Sequence, residues 1–203
     1  MKRVLGIFAH REDHIVCGWP VFQNMEIERH LIVCTNDAEV LVQMSCESYG
    51  IIYHGSIGLQ NGFAYDRKRG LPWFSESIER VVSETLSKVN PDAIFTHNPW
   101  GEYGHFDHRF VFECIFNKFR AWDVMLSSIV ATSTHYPAAW AQPRQFETMM
   151  LQSSSERVEP DYEFYRAQAE LFERHKMWTS NVYLNAPRYP HATTLHTIKG
   201  EDE

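Results

Sequence analysis

The stretch RVLGIFAHREDH, residues 3–14, combines two patterns that decide the fold. It begins with an apolar run of the kind expected for a buried strand, and His10, Glu12, Asp13 and His14 follow directly. Acidic and imidazole side chains crowded at one buried point desolvate and repel one another unless they bind something. A metal ion satisfies both kinds of group together. The stretch therefore predicts a core strand that ends in a metal site.

Further apolar runs follow this strand, and amphipathic segments separate most of them. The predicted strands cover residues 3–9, 30–35, 50–54, 93–97 and 125–133. Apolar residues recur at helical spacing most clearly over 71–89, where Pro72 suits the first turn, and further helices are predicted within 107–122 and 161–178. Short strands alternating with longer helices are typical of a mainly parallel sheet covered by helices. The sequence therefore predicts an α/β fold.

The length and composition suit a single domain over residues 1–203. A chain of 203 residues with 44% hydrophobic and 22% charged residues has the balance of an ordinary globular protein and is long enough to bury one core. The polar segment 151–160 predicts a loop. Residues 199–203 form a short charged tail, and we expect this tail to fray.

Charge and cysteine spacing narrow the expected partners and location. The formal net charge of −7 argues against nucleic acid or an anionic membrane and favours a small molecule or a glycan as the ligand. The first apolar run is too short for a signal segment or a spanning helix, so no membrane span is expected. The four cysteines lack C-x-x-C spacing, which favours reduced thiols and a cytoplasmic location. The oligomeric state stays open.

A second motif, NPWGEYGHFDHR over residues 98–109, follows the fourth predicted strand. Ligand sites of open α/β sheets form at the carboxyl ends of the strands, where both motifs are placed. Catalytic zinc commonly takes three ligands from histidine and carboxylate and leaves one position for water. The first motif offers His10 and Asp13, and the second offers His105 or His108. Together the two motifs predict one metal centre.

These motifs resemble those of the zinc-dependent de-N-acetylases, the family of the N-acetylglucosaminyl-phosphatidylinositol deacetylases and the bacterial LmbE-like proteins. The family patterns A-H-P-D-D-E and G-H-P-D-H have their counterparts in AHREDH (9–14) and GHFDH (104–108), and the resemblance extends from residue 1 to about 120. It implies a Rossmann-like domain that holds one Zn²⁺ or another divalent metal. It also implies hydrolytic removal of an N-acetyl or similar N-acyl group from an amino sugar or related amine.

The same resemblance assigns roles to five residues of the two motifs. It implies that His10, Asp13 and His108 hold the metal. Glu12 falls where the family has its catalytic base, and His105 falls where the family has the histidine that assists the tetrahedral intermediate. The expected chemistry is attack by a zinc-bound water on the amide carbonyl.

Other motif residues carry alternative interpretations. Asp107 is expected to orient His105, and capping of its own helix is equally consistent. Tyr103 matches a pocket tyrosine of some family members. Arg11 is a candidate contact for an acidic substrate group or a partner in a surface salt bridge, and Trp100 is a candidate for stacking on a sugar ring or for ordinary packing. The glycine-containing segment 55–63 predicts a pocket-lining loop.

Departures from the family pattern leave further alternatives open. Arg11 and Phe106 replace prolines, Glu12 replaces the aspartate of the base, and His14 replaces a glutamate; residues 36–50 contain no arginine for a sugar. We expect His14 to point away from the metal. The changed base favours, as an alternative, a protein that binds a glycan or metabolite without turnover. A metal phosphoesterase and a simple His10–Asp13 ion pair are further alternatives.

Four other histidines have no spacing argument that places them at a site. They are expected to be structural or surface residues: His97, His135, His175 and His191.

Overall fold

The residues that the structure describes form one mixed sheet with helices on its faces. The computed structural model of the chain describes residues 1–36, 39–65, 71–127, 153–174 and 193–201. The strands are β1 (Arg3–Phe8), β2 (Glu28–Thr35), β3 (Ile52–Leu59), β4 (Ala93–Thr96), β5 (Val124–Ser127), β6 (Ser154–Val158) and β7 (Thr193–Ile198). The helices are α1 (Asp13–Val16), α2 (Trp19–Phe22), α3 (Glu39–Ser48), α4 (Leu71–Val89), α5 (Gly101–Gly104), α6 (Phe106–Lys118) and α7 (Tyr162–Arg174).

The strand order places β1 and β4 side by side in the middle of the sheet. The order is β3-β2-β1-β4-β5-β7-β6, in which the first five strands are parallel, β7 is antiparallel to β5, and β6 is antiparallel to β7. The predicted α/β fold with a mainly parallel sheet is confirmed. The chain leaves β1 toward one edge and β4 toward the other, so the crevice between their carboxyl ends is the expected ligand site of such a sheet.

Strand β1 is buried on both faces, as its unbroken apolar run predicts. Val4 and Phe8 face one core cluster, whereas Leu5 and Ile7 face the other. Gly6, between Val4 and Phe8 on the same face, leaves space for helix α2. A Cβ at this position would lie 2.4 Å from Cζ of the Phe22 ring. A side chain at residue 6 would therefore force the Phe22 ring to shift.

Several predicted bounds agree with the structure, and others do not. Helix α4 has the predicted bounds, 71–89, and α6 and α7 lie within or one residue before their predicted segments. Strand β3 extends five residues further than predicted. Residues 128–133 of the fifth predicted strand and 175–178 of the last predicted helix lie outside the described residues.

The carboxyl-terminal part of the sheet corrects one prediction. Residues 154–158, in the segment predicted to be a loop, form β6 and pair with β7, which was not predicted. In the described part of the tail, the backbone N–H of Gly200 donates to Asp123 Oδ1 over 3.0 Å, and that of Glu201 donates to the carbonyl of Arg120 over 2.7 Å. Fraying of residues 199–203 as a whole stays a prediction.

The cysteines and the hydropathy of the helices are two further features of the structure. All four cysteines are buried and none forms a disulfide. Among the described residues, no helix is both long enough and apolar enough to cross a membrane.

Candidate metal centre

Two loops at the carboxyl edge of the sheet bring the predicted metal ligands together. The first follows β1 and carries His10 and Asp13, and the second follows β4 and leads through α5 to His108 in the first turn of α6. Ile7 of β1 pairs with Thr96 of β4, so the two loops begin side by side. His10, Asp13 and His108 are all buried.

Three donor atoms from these residues form a compact triangle. Asp13 Oδ2 lies 3.4 Å from His10 Nδ1 and 3.4 Å from His108 Nε2, and the two ring nitrogens are 3.0 Å apart. Ligand atoms about 2.0–2.1 Å from a tetrahedral zinc ion lie roughly 3.3 Å from one another. The residues therefore fit three of the four positions around a zinc ion.

Two buried carboxylates orient the histidines of this triangle. Asp107 Oδ2 accepts from His10 Nε2 over 3.1 Å, and Glu102 Oε2 accepts from His108 Nδ1 over 2.7 Å. Each carboxylate holds a proton on the far side of the ring, so the opposite nitrogen faces Asp13. Carboxylates placed in this way behind metal-binding histidines fix the tautomer and raise the basicity of the ligand.

The electrostatics of the triangle favour a bound cation. Burial raises the pKa of Asp13, but the nearby rings of His108, His97 and His10 lower it well below its ordinary value, so this carboxylate is ionised. Burial lowers the pKa of His10, whereas Asp13 and Asp107 raise it well above its ordinary value. Positive charge is therefore stabilised at the point where the donor atoms converge.

Glu12 is the residue that precedes α1, and it is buried beside the triangle. Burial raises the pKa of Glu12 to about 7, and the charge of Asp13 adds to the rise while His10 and Arg11 oppose it. Its Oε2 lies 3.7 Å from Arg11 Nε. A carboxyl group with a pKa near neutrality can both take up and release a proton at physiological pH.

His105 is half-buried and caps the amino end of α6. Its Nδ1 accepts from the backbone N–H of Asp107 over 3.2 Å, so its ring proton lies on Nε2. Burial and the neighbouring rings of His108 and His10 lower the pKa of His105 to about 3. Its ring centroid lies 4.6 Å from that of His10. His105 is therefore a neutral hydrogen-bond donor next to the triangle.

The contacts of Asp107 correct the role predicted for it. Its carboxylate accepts from the ring of His10 and also from the backbone N–H groups of Gly62 and Ala64, at 2.7 and 2.8 Å. His105, not Asp107, supplies the cap of α6. The first turn of α6 directs the Asp107 side chain toward the loop after β3, which explains why it orients a metal-ligand candidate instead of His105.

Two buried residues behind the triangle were missed by sequence reasoning. His97 stacks on His108 with a centroid distance of 3.9 Å and places Nε2 3.3 Å from Asp13 Oδ2. Glu102 accepts from His97 Nδ1 over 3.0 Å. Burial raises the pKa of Glu102, but His97 and His108 lower it to about 2. The sequence did contain one indication of a site role for His97, because this residue is the last of the predicted strand 93–97 and so lies at a carboxyl end.

A second group of possible ligands fits a metal less well. Cys17, His97, Glu102 and His108 offer donor atoms within 4.8 Å of one another. The planes of the His97 and His108 rings are only 15° apart, so their in-plane lone pairs run side by side and cannot converge on one ion. The planes of His10 and His108 differ by 48°. Burial also raises the pKa of Cys17 well above its ordinary value, which keeps this thiol protonated.

The remaining predicted residues lie around this centre. His14 points away from the triangle, as expected, and its Nε2 contacts Ser45 Oγ over 2.8 Å. Arg11 lies beside Glu12 with most of its side chain covered. Trp100 is half-buried at the start of α5, and Tyr103 is part of the same helix.

Solved structures of known enzymes share this fold. The deacetylase of teicoplanin biosynthesis, in complex with teicoplanin, matches with a TM-score of 0.61 and 11% identity over 100% of both chains. The zinc-inhibited form of teicoplanin deacetylase Orf2 matches with a TM-score of 0.58 and 12% identity, again over 100% of both chains. The chain has the fold of these deacetylases. This confirms the fold implied by the motif resemblance.

The same fold also occurs in an enzyme of different chemistry. GalB, the 4-carboxy-2-hydroxymuconate hydratase from Pseudomonas putida, matches with a TM-score of 0.56 and 12% identity over 100% of this chain and 98% of GalB. No protein-family model and no curated protein sequence gives a significant match. At such identities the similarity shows the fold, and the function has to be argued from the site.

Proposed function

We propose that this chain is a metal-dependent hydrolase that removes an N-acetyl or similar N-acyl group from an amino sugar or a related amine. The observation that carries the proposal is the triangle of His10, Asp13 and His108, with donor atoms 3.0–3.4 Å apart. The deacetylases that share the fold support it, and so do the two carboxylates behind the histidines. The proposed ligand set leaves one tetrahedral position for water.

The proposed mechanism divides the work between the metal and the side chains around it. Zinc held by this triangle would lower the pKa of a bound water from about 15.7 to about 7 and polarise the acyl oxygen. Glu12 takes the proton from the attacking water as the carbon–oxygen bond forms. It then delivers that proton to the amine nitrogen as the carbon–nitrogen bond breaks, while the second proton of the water stays with the acyl group, so the products are a carboxylic acid and a free amine.

The neutral ring of His105 completes the proposed mechanism. Because its Nδ1 accepts from a backbone N–H, the ring proton lies on Nε2, and we assign this N–H the role of donor to the acyl oxygen as that oxygen gains negative charge. General base catalysis of the kind assigned to Glu12 contributes about 10²- to 10⁴-fold. Tyr103 as a further donor, Trp100 as a stacking surface and Arg11 as a contact for an acidic group are the remaining proposed roles.

Two variants test the proposal because they separate metal binding from chemistry. We expect one zinc per wild-type chain, retained in Glu12→Gln and lost in His108→Ala. His30→Ala is the matched control, since His30 is a buried histidine with a carboxylate partner near the amino end of β2. Metal content is measured by atomic absorption. Acetate release is measured on a panel of N-acetyl amino sugars, with zinc at one equivalent and with Co²⁺ or Mn²⁺ in parallel.

Each outcome of these assays has a defined meaning. A rate at least 10²-fold lower in Glu12→Gln, with zinc still bound, supports the assigned base. Zinc retained by His108→Ala would contradict the ligand assignment. Wild-type protein that binds zinc and releases acetate from none of the panel would favour binding without turnover. Two metal ions per chain would favour a phosphoesterase.

A further inference from the structure

Glu102 has an unusual backbone conformation for a glutamate. Its φ is +56°, in the left-handed region that favours glycine, and its side chain is buried. Among the described residues, Asn90 is the other non-glycine residue with positive φ. Strained residues of this kind persist where the surrounding structure holds them, and they cluster at functional sites.

The carboxylate of Glu102 accepts hydrogen bonds from two histidine rings and from one backbone N–H group. Oε2 accepts from His97 Nδ1 over 3.0 Å and from His108 Nδ1 over 2.7 Å. Oε1 accepts from the backbone N–H of Asn98 over 3.0 Å, while the N–H of Glu102 itself donates to Asn98 Oδ1 over 3.1 Å. The carboxylate is therefore held at both oxygens, and its direction is fixed.

His97 connects Glu102 to the backbone next to His10, the other proposed histidine ligand. The neighbouring carboxylates raise the pKa of His97 against the effect of burial. The backbone N–H of Ala9 nevertheless points at His97 Nε2 over 2.9 Å, so this nitrogen holds a lone pair and the ring proton lies on Nδ1. Ala9 directly precedes His10. One carboxylate is thus connected to His108 directly and to the backbone before His10 through a single ring.

We propose that Glu102 is a positioning residue that orients both histidine donors of the metal centre. It acts on His108 through the ring N–H and on His10 through His97 and the Ala9 backbone. The inference rests on the metal centre of the proposed function and adds a residue that touches none of the reacting atoms. Removal of a partner that orients a metal ligand typically weakens metal binding 10- to 100-fold.

Two substitutions of Glu102 test this role. In Glu102→Gln one oxygen is lost, so at least one of the three N–H donors faces an amide N–H₂. Glu102→Gly removes the carboxylate. Because glycine adopts a positive φ without strain, the backbone of α5 can keep its conformation in this variant. Glu28→Gln is the matched control, because Glu28 accepts from His30 Nε2 over 2.8 Å in a similar pair far from the site.

The first readout is the zinc dissociation constant, measured by competition with a chromogenic chelator. We expect it to rise 10- to 100-fold in both Glu102 variants and to stay within twofold of wild type in Glu28→Gln. The far-ultraviolet circular dichroism of the metal-free proteins should be the same for all four. Wild-type zinc affinity in folded Glu102→Gly would overturn the proposal.

The second readout does not depend on metal or activity. Buried ring N–H groups bonded to a carboxylate give slowly exchanging proton resonances downfield of the amides. In metal-free wild-type protein we expect such resonances from His97 and His108, in addition to that of the His10 ring on Asp107, and we expect Glu102→Gly to lose the His97 and His108 resonances alone. Their persistence would overturn the proposal. Zinc binding that weakens in the variants while wild type hydrolyses no substrate would instead refute the proposed function and leave the positioning role intact.

Discussion

Replacing Asp107 with asparagine should destabilise the protein even without metal. The carboxylate is fully buried and accepts three N–H groups, from His10 at 3.1 Å, Gly62 at 2.7 Å and Ala64 at 2.8 Å. In its best orientation the asparagine oxygen keeps the first two, while its N–H₂ group faces the Ala64 N–H. The change removes the negative charge and leaves at least one buried donor without an acceptor.

The magnitude follows from these three contacts. An unsatisfied buried donor costs about 1–3 kcal/mol, and two bonds that lose their charge assistance weaken by about 1 kcal/mol each. The expected loss in the free energy of unfolding is therefore about 3–5 kcal/mol, a large part of the 5–15 kcal/mol typical of a whole domain. The zinc dissociation constant should also rise about 10- to 100-fold, because the ring of His10 then bonds a neutral amide oxygen, which raises the basicity of the ligand nitrogen less than a carboxylate does.

Urea unfolding followed by circular dichroism, with and without a chelator, measures both effects. Asp92→Asn is the control, since Asp92 also accepts a backbone N–H, that of Arg3 at 2.6 Å, but at an exposed position. The control should change stability by less than about 0.5 kcal/mol. If metal-free Asp107→Asn unfolds at the same urea concentration as Asp92→Asn, the argument from the three buried bonds is refuted.

Three further predictions concern the packing and the buried polar groups around the site. Gly6→Ala should cost about 1–3 kcal/mol in urea unfolding, because the new Cβ would overlap the phenylalanine ring that ends α2. Ser45→Ala should lower the free energy of unfolding by about 2–4 kcal/mol, because Ser45 Oγ hydrogen-bonds both the buried His14 ring and the buried Gln168 amide. Ser48→Ala is the control on the same helix. Its hydroxyl is exposed, so the free energy of unfolding should change by less than about 0.5 kcal/mol. Burial lowers the pKa of His14 to about 4, below its unfolded value of about 6.5. The neutral ring therefore favours the folded state above about pH 6.5. This contribution to the free energy of unfolding, about 3 kcal/mol, is lost as the pH falls from about 6.5 to about 4. A His14→Gln variant should show a shallower loss of stability over that range, and an unchanged slope would contradict the assignment.

The structure also separates what was predictable in the sheet from what was not. Strand β1 and helix α4 were predicted because burial imposes a local pattern on them: an unbroken apolar run in one, and a helical period in the other. Strand β6 was not, because Ser154–Val158 contains one apolar residue and pairs only at the edge of the sheet. Backbone hydrogen bonds stabilise such a strand without leaving a hydrophobic pattern.

The sequence by itself determined that His10, Asp13, His105 and His108 follow apolar strands, and hence that a metal centre was to be expected at the carboxyl edge of an α/β sheet. Only the tertiary structure decided which nitrogen of each histidine faces the centre, that Asp107 serves His10, and that Glu102 lies behind His108. These contacts join residues up to 98 positions apart, and they depend on the pairing of β1 with β4. They also depend on single backbone dihedrals in the loops, which no local pattern of residues encodes.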